Sequence, residues 1–474
     1  MTGTDAIPLC VDLDGTLVAG DRLAEGALEF IKRHPFGALF LPAWLLRGRA
    51  YLKAKVASAT PVDARHLPYN QDILDHVRRA REAGTPTWLV TAADQATAHA
   101  IAAHLGLFDG VIASDERENI KGVAKAERLV AQFGERRFDY IGNDRADLPV
   151  WRRARRALVA GPEALAARVR ETTPLERHFE RASGGLTAAI NAMRPHQWLK
   201  NLLVFMPLLA AHRADEAEAL LSVALAFLAF CLCAASVYVT NDLLDLAADR
   251  AHPRKRMRPF ASGALAPGVG FAMAPILLLA AAAIASQLPL AFGWTLATYY
   301  AGTVAYSFVL KHFVLVDIFG LAGLYTLRLI AGAAAANVPL SFWMLLFSIF
   351  LFLSLAALKR YAELHALRRE SRSNSRARGY VVEDLSMLRT LGVSSGFVSV
   401  LVLGFYINSP EVRELYRRPE AIWALCTLVL YWVSRMWMKA ERGVMHDDPI
   451  VFAARDWISL LVLAGAATSV LAAV

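Results

Sequence analysis

Asn241-Asp242-Leu243-Leu244-Asp245-Leu246-Ala247-Ala248-Asp249 places three carboxylates where a long hydrophobic run ends. Asp242, Asp245 and Asp249 stand at i, i+3 and i+7, which puts them on one face if a single helix runs through them. Ionised acids are costly at membrane depth, so a cluster there marks a functional site. Arg250, Arg254, Lys255, Arg256 and Arg258 follow directly. Carboxylates able to hold a hard cation such as Mg²⁺, beside guanidinium groups able to hold phosphate, are the parts of a diphosphate site. The plainer alternative is a solvated helix end with a basic flank.

The chain on either side of this stretch is strongly apolar. Nine apolar segments are centred near Phe205, Leu228, Leu277, Thr298, Leu324, Phe350, Val400, Val429 and Leu463. Their lengths predict an all-α polytopic membrane domain of about nine transmembrane helices. Lys and Arg crowd the connections after the second, sixth and eighth segments, and Lys311 follows the fourth. Arg413, Arg417 and Arg418 run against the trend. The positive-inside rule makes those even-numbered connections cytoplasmic, and the N-terminal part with them, in a bacterial-type inner membrane. The net charge of +9 is explained in the same way, so nucleic acid is not an expected partner. The start, MTGTDAIPLCVDLDG, has neither a basic n-region nor a long apolar h-region, so no cleavable signal is expected. Cys10, Cys231, Cys233 and Cys426 lack metal spacing and read as reduced and structural.

The string NDLLDLAADRAHPRKRMRPFASG, from Asn241 to Gly263, resembles the first aspartate motif of the UbiA superfamily of intramembrane prenyltransferases. It is most similar to the decaprenyl-phosphate phosphoribosyltransferase branch. RPHQWLKN (Arg194 to Asn201) and LKRYAELH (Leu358 to His365) carry the same resemblance. The resemblance implies that Asp242, Asp245 and Asp249, with Asn241, hold Mg²⁺ on a diphosphate. Arg194, Lys200, Arg258, Lys311, Arg328, Lys359 and Arg360 are then candidates for holding phosphate groups of donor and acceptor. A second polar set is Tyr306, Lys311, Asp317, Tyr325 and Arg328, in which Asp317 and Arg328 share a helical face and could look into one cavity. Asp317 is followed by Ile318-Phe319-Gly320-Leu321, so the partner carboxylate of a second aspartate motif is absent. That departure fits phosphoribosyl diphosphate as donor and a polyprenyl phosphate as acceptor.

The first part of the chain reads differently. Ile7 to Val11 is a buried-strand run that delivers Asp12-Leu13-Asp14-Gly15-Thr16-Leu17 at its carboxyl end, where open α/β sheets bind ligands. This string resembles motif I of the haloacid dehalogenase (HAD) superfamily, an α/β Rossmannoid fold with a helical cap. The resemblance implies Asp12 as nucleophile and Asp14 as general acid/base, both near Mg²⁺. Thr91 ends a second strand in the place of the phosphate-binding motif II. Lys121 stands in the place of the motif III lysine, with Lys125 as the other candidate. Gly142-Asn143-Asp144-Arg145-Ala146-Asp147 occupies the place of motif IV, where Asn143 replaces the usual metal-binding carboxylate; Asp144 or Asp147 is the expected compensation, with Asn143 and Asp147 as metal ligands. The run Pro35 to Leu46 is unusually apolar and precedes Arg47 and Arg49; it reads as a cap core or as a membrane-surface contact.

These readings give residues 1–160 as a HAD-like phosphatase domain with a cap over about 21–74. Residues 161–190 are linker and juxtamembrane helix, and 191–474 are the UbiA-like transferase domain. The expected activity is bifunctional: phosphoribosyl transfer to a polyprenyl phosphate, then removal of the 5-phosphate, for cell envelope biosynthesis. The alternatives are prenyl transfer to an aromatic or other small acceptor, and an N-terminal domain that only senses or docks.

Overall fold

A computed structural model describes residues 6–180, 184–369, 379–410, 412, 416–445 and 448–474. Arg372, Arg376, Arg378 and Arg413, which bear on the charge argument, lie outside the described residues. The chain divides into two compact units, one made of Met1–Met193 with Tyr238–Ala274, the other of Arg194–Val237 with Pro275–Val474.

The first unit is built on a six-stranded sheet in the order β3-β2-β1-β4-β5-β6. The strands are β1 (Leu9–Val11), β2 (Thr87–Asp94), β3 (Gly110–Ser114), β4 (Asp139–Gly142), β5 (Arg156–Gly161) and β6 (Leu175–Glu180). Every pairing is parallel. Such sheets are covered on both faces, which explains why all residues of β1 and β4 are buried. Strand order turns around at β1, paired with β2 on one side and β4 on the other, so a crevice opens beyond its carboxyl end. Asp12 is the next residue.

The cap is inserted between β1 and β2 as α1 (Arg22–Arg33), α2 (Phe40–Leu46) and α3 (Arg49–Ala59). Asp21 caps α1 by accepting from the Ala24 N–H, and Lys32 and Arg33 fall in its last turn, where the helix dipole favours cations. α1 packs closely on α3: a Cβ at Gly26 would stand 2.7 Å from Val56. The cap ends before α4 (Gln71–Glu82), because Ile73, Leu74 and Val77 already belong to the sheet's core.

The sheet extends into the expected linker. The helix Glu163–Arg170 places Leu165, Ala166 and Val169 in the core, and β6 follows it. β6, Leu175-Glu-Arg-His-Phe-Glu, is an edge strand whose one buried residue is Phe179, so its polarity hides it in the sequence. Only the short helix Gly185–Ala192 stands where the juxtamembrane helix was expected.

Six helices among the described residues are long and apolar enough to cross a membrane, seven if the bent pair Pro449–Arg455 and Trp457–Ala473 counts as one span. This is a multi-pass membrane protein; among the described residues a count of nine spans is not confirmed. The segment near Phe205 is a 3-10 stretch, Pro195–Phe205, followed by the five-residue helix Met206–Ala210, with prolines at both starts. The segment near Thr298, Leu290–Phe308, has spanning length, but Thr, Tyr, Gly and Ser dilute its apolarity. In the second unit the buried clusters include one around Phe230, Phe292 and Tyr299 and another around Phe352, Tyr361 and Trp437.

Candidate functional site

Asp12 is held at the end of β1 by its own N–H, which donates to the Ile141 carbonyl of β4. Its carboxylate accepts from the Thr16 hydroxyl at 3.1 Å and from the Lys125 ammonium at 2.7 Å. Lys125 comes from α6 (Val123–Phe133), the helix that follows α5 (Gln95–Leu105) and β3, and it also donates to Tyr140 Oη at 2.8 Å. Burial, reinforced by the charges of Asp147 and Asp14, raises Asp12 to about 7 against the opposing pull of Lys125. Asp14 is raised as well, by burial, although the Arg22 N–H donates to it at 3.0 Å.

Lys125, not Lys121, therefore contacts Asp12; Lys121 is exposed and lines the same cavity. Thr91 is buried within β2, which runs on to Asp94 past a register shift after Val90 instead of ending at Thr91, and its Oγ accepts from the Ala93 N–H. Asn143 lies over Gly15, whose φ of +75° and contact leave no room for a side chain: a Cβ there would stand 2.1 Å from Asn143 Nδ2. Asp147, the other expected metal ligand, is bonded to its own surroundings. Its Oδ1 accepts from Tyr140 at 2.9 Å and lies 3.4 Å from Lys125, and its Oδ2 accepts from the N–H groups of Asn143 and Asp144 at 3.2 Å. Asp144 caps the same turn. Both acids shape the loop that presents Asn143.

The cavity beyond Asp12 measures ≈ 850 Å³ and its walls include Asp14, Arg22, Lys53, Lys121, Asn143 and Arg250. Lys53 on α3 was not singled out in the sequence. Its ammonium reaches the Ala92 carbonyl at 2.5 Å and Asn119 at 2.7 Å, and burial lowers its basicity. A cap lysine has no motif; only the inserted helix that brings it to the site could have drawn attention to it.

In the aspartate segment the three carboxylates do not share a face. The helix Ala217–Leu244 breaks at Asp245, which precedes a separate helix, Leu246–Ala251. Asp242 and Asp249 are buried and converge on one nitrogen of Arg258, at 3.1 and 2.6 Å. Asp245 turns elsewhere and accepts from Lys32 of α1 at 2.8 Å. Asn241 is half-buried. Two carboxylates around one cationic point are a donor set that suits Mg²⁺ together with phosphate oxygens. Among the described residues no group of three or more His, Cys, Asp or Glu forms a metal cage by itself.

The second unit gathers most of the remaining candidates into two networks. In one, Asp448 accepts from Lys200 at 2.7 Å and Lys359 at 3.0 Å, with Tyr325 Oη at 3.5 Å. Arg328 donates to Asn201 and to Tyr299 Oη, both at 2.8 Å. In the other, buried Arg360 is ion-paired with buried Asp317 and with Glu363 and donates to Tyr306 Oη at 2.7 Å; Tyr380 donates to Asp317 at 2.5 Å. Asp317 and Arg328 thus sit in different networks, about 16 Å apart along their helix. Lys311 is half-buried in the 3-10 turn Leu310–His312, and Arg194 has the left-handed φ of 54° ahead of Pro195. Asp448 was missed; its only signal is Asp-Pro at a helix start, where its side chain accepts from the Ile450 N–H.

The UbiA prenyltransferase family profile matches residues 202–376, and that of haloacid dehalogenase-like hydrolases matches 9–152. A decaprenyl-phosphate phosphoribosyltransferase of Mycolicibacterium smegmatis is 34% identical over 277 residues, 57% of this chain and 87% of its own length. The chain belongs to the UbiA prenyltransferase family. This UbiA-family enzyme carries a HAD-like hydrolase domain ahead of the membrane part. An uncharacterized protein of Sinorhizobium fredii, y4nM, is 36% identical over 460 residues, 95% of this chain and 88% of its own. The nodulation protein NoeC of Azorhizobium caulinodans is 39% identical over 281 residues, 58% of this chain and 90% of its own.

Proposed function

We propose that this protein transfers 5-phosphoribose from phosphoribosyl diphosphate to a polyprenyl phosphate, and that its HAD-like domain then removes the 5-phosphate from the product. The observation that carries the first step is the basic surplus of the membrane unit. Lys200 and Lys359 share the single carboxylate of Asp448, Arg328 donates to the uncharged Asn201 and Tyr299, and Asp317 has no second aspartate motif beside it. That surplus suits substrates bearing several phosphates. The name borne by the M. smegmatis relative supports the same donor and acceptor.

In the transfer, a lipid phosphate oxygen attacks C1 of the ribose, the C1–diphosphate bond breaks, and pyrophosphate leaves. The nucleophile is already an anion, so no strong base is needed. Arg258 and the lysines hold and orient phosphates, while the apolar helices take the prenyl tail. In the hydrolysis, the Asp12 carboxylate attacks phosphorus, Asp14 gives its proton to the departing ribose oxygen, and water then releases phosphate from Asp12. Lys125 and Thr16 keep Asp12 aligned. Mg²⁺, held by Asp242 and Asp249 in one unit of chemistry and by Asp12, the Asp14 carbonyl and Asn143 in the other, would neutralise charge on the phosphate oxygens. The basic connections support a cytoplasmic-membrane enzyme with the N-terminal domain in the cytoplasm, supplying lipid-linked pentose for envelope glycans.

The test uses the purified full chain in detergent with Mg²⁺, a polyprenyl phosphate and ribose-labelled phosphoribosyl diphosphate. Label enters the lipid fraction with the native chain and not with Asp242→Asn. With Asp12→Asn the labelled lipid keeps its 5-phosphate. Absence of transfer by folded protein would instead favour a prenyl diphosphate donor.

A further inference from the structure

The sequence left the apolar run of the cap with two readings, and the structure separates them. Phe36, Leu39 and Leu46 are 89%, 78% and 90% exposed, and Phe40 and Leu45 are exposed beside them. They are therefore not a cap core. Nor are they a loose tail. Phe30 is buried and its ring lies 5.1 Å from that of Trp44, which in turn stacks on Phe40 at 6.4 Å. Gly37 is pressed against His34 and Phe30, each 2.9 Å from where its Cβ would be. One side of the segment is anchored, and the other presents large apolar side chains to the outside.

Lys32 and Arg33 are paired with Asp245 and Glu29, and exposed Arg47 and Arg49 carry the charge at the end of the apolar segment. Between Phe30 and Val62 the chain has Lys32, Arg33, Arg47, Arg49, Lys53 and Lys55 and no Asp or Glu. Bulky apolar residues at the tip with basic residues on its flanks are the composition of a helix that lies in the headgroup region of an anionic bilayer. The same chain spans a membrane, so that surface is always within reach.

We propose that the segment Phe36–Arg49 docks on an anionic lipid surface, with Phe36, Leu39, Phe40 and Leu46 entering the headgroup boundary and Arg47 and Arg49 on lipid phosphates. The docked segment is also a wall of the Asp12 cavity, to which Leu45, Arg49, Leu52 and Lys53 contribute. Resting on the phosphatase reading, this makes the substrate of that cavity a phosphate monoester carried on a lipid, drawn from the surface along the basic face of α3.

The experiment uses the full chain in nanodiscs, with Cys426→Ser as background because the other three cysteines are buried. A polarity-sensitive label is placed at Leu39→Cys, Leu46→Cys or, as control, at exposed Glu116→Cys. Quenching lipids dim the first two labels and not the third when anionic lipid is present. Arg47→Glu with Arg49→Glu weakens the quenching, by roughly fivefold in partitioning per residue. Labels at 39 and 46 as water-exposed as that at 116 would overturn the proposal, as would full quenching in purely zwitterionic discs that ignores the arginine changes. In a second arm, Phe36→Asp with Leu46→Asp lowers hydrolysis of a lipid phosphate monoester relative to p-nitrophenyl phosphate. Quenching without hydrolysis of either ester upholds the docking and refutes the phosphatase reading.

Discussion

Arg250 of the aspartate segment donates to both carboxylate oxygens of Glu25 in the cap, at 2.6 and 2.8 Å, across 225 positions of chain. Both side chains are about 6% exposed, and Arg22 presses against the same carboxylate. The aspartate segment of the UbiA-like part and the cap of the HAD-like domain are thereby parts of one packed unit. Gly263 adds to the fit: its φ of +79° lets the backbone pass where a Cβ would stand 2.5 Å from Ala19. Removing one partner of a buried pair leaves the other charge uncompensated, at about 3–5 kcal/mol. Glu25→Ala is thus expected to lower hydrogen-exchange protection in the cap and in residues 238–274 together. Loss confined to the cap would show that the segment holds its place without the pair.

Burial and Lys125 act in opposite directions on the titration of Asp12. Burial raises Asp12 to about 7, so the fold favours its neutral form. That contribution to stability is complete below the ordinary value of 3.8 and is lost as pH rises through about 7. Catalysis needs the opposite form, the carboxylate. The acid limb of the phosphatase profile is therefore expected above the ordinary carboxylate range, and Lys125→Met moves it higher by removing the opposing charge. The same change removes a donor beside the reacting group, worth roughly 10²–10³ in kcat. A profile of kcat/KM against pH for both chains checks the two effects separately.

Asp448 offsets two cations. Lys200 and Asp448 are nearly buried, and Lys359 reaches the same oxygen. Asp448→Asn leaves two ammonium groups facing each other and is expected to cost about 3 kcal/mol in the membrane unit. Adding Lys359→Met should restore part of that loss, whereas an independent site would give additive losses. Thermal unfolding of the four chains in one detergent distinguishes these results.

The sequence made legible what short local patterns encode. β1 with Asp12 and Asp14 just beyond it, the strand that carries Thr91 and the loop at Asn143 fall where the motif order puts them, because parallel α/β sheets gather their loops at one edge. What stayed hidden depends on long-range packing. Lys125 and Lys121 are four residues apart, and only the placement of α6 decides which reaches Asp12. The helix break at Asp245 has no Pro or Gly to announce it; it follows from the turn that sends Asp242 and Asp249 to Arg258 and Asp245 to Lys32. β6 is missed because an edge strand with one buried residue reads as linker.

Asn143 offers a direct test of the missing charge at motif IV. Its amide lies against Gly15, at the loop that joins β4 to the 3-10 turn ending in Asp147. Asn143→Asp changes no volume, so its effect is electrostatic. In the absence of cations it adds a carboxylate to Asp12, Asp14 and Asp147, and like charges within a few ångströms destabilise one another. With Mg²⁺ the added charge becomes a ligand, and affinity for the ion should rise several-fold, roughly the 1–2 kcal/mol that one further charge–charge interaction supplies at a partly solvated site. The expected pattern is a lower melting temperature in chelator, a larger rise on adding Mg²⁺, and a lower Mg²⁺ concentration for half-maximal phosphatase activity. A melting temperature that responds to Mg²⁺ no more than in the native chain would mean that position 143 does not face the ion.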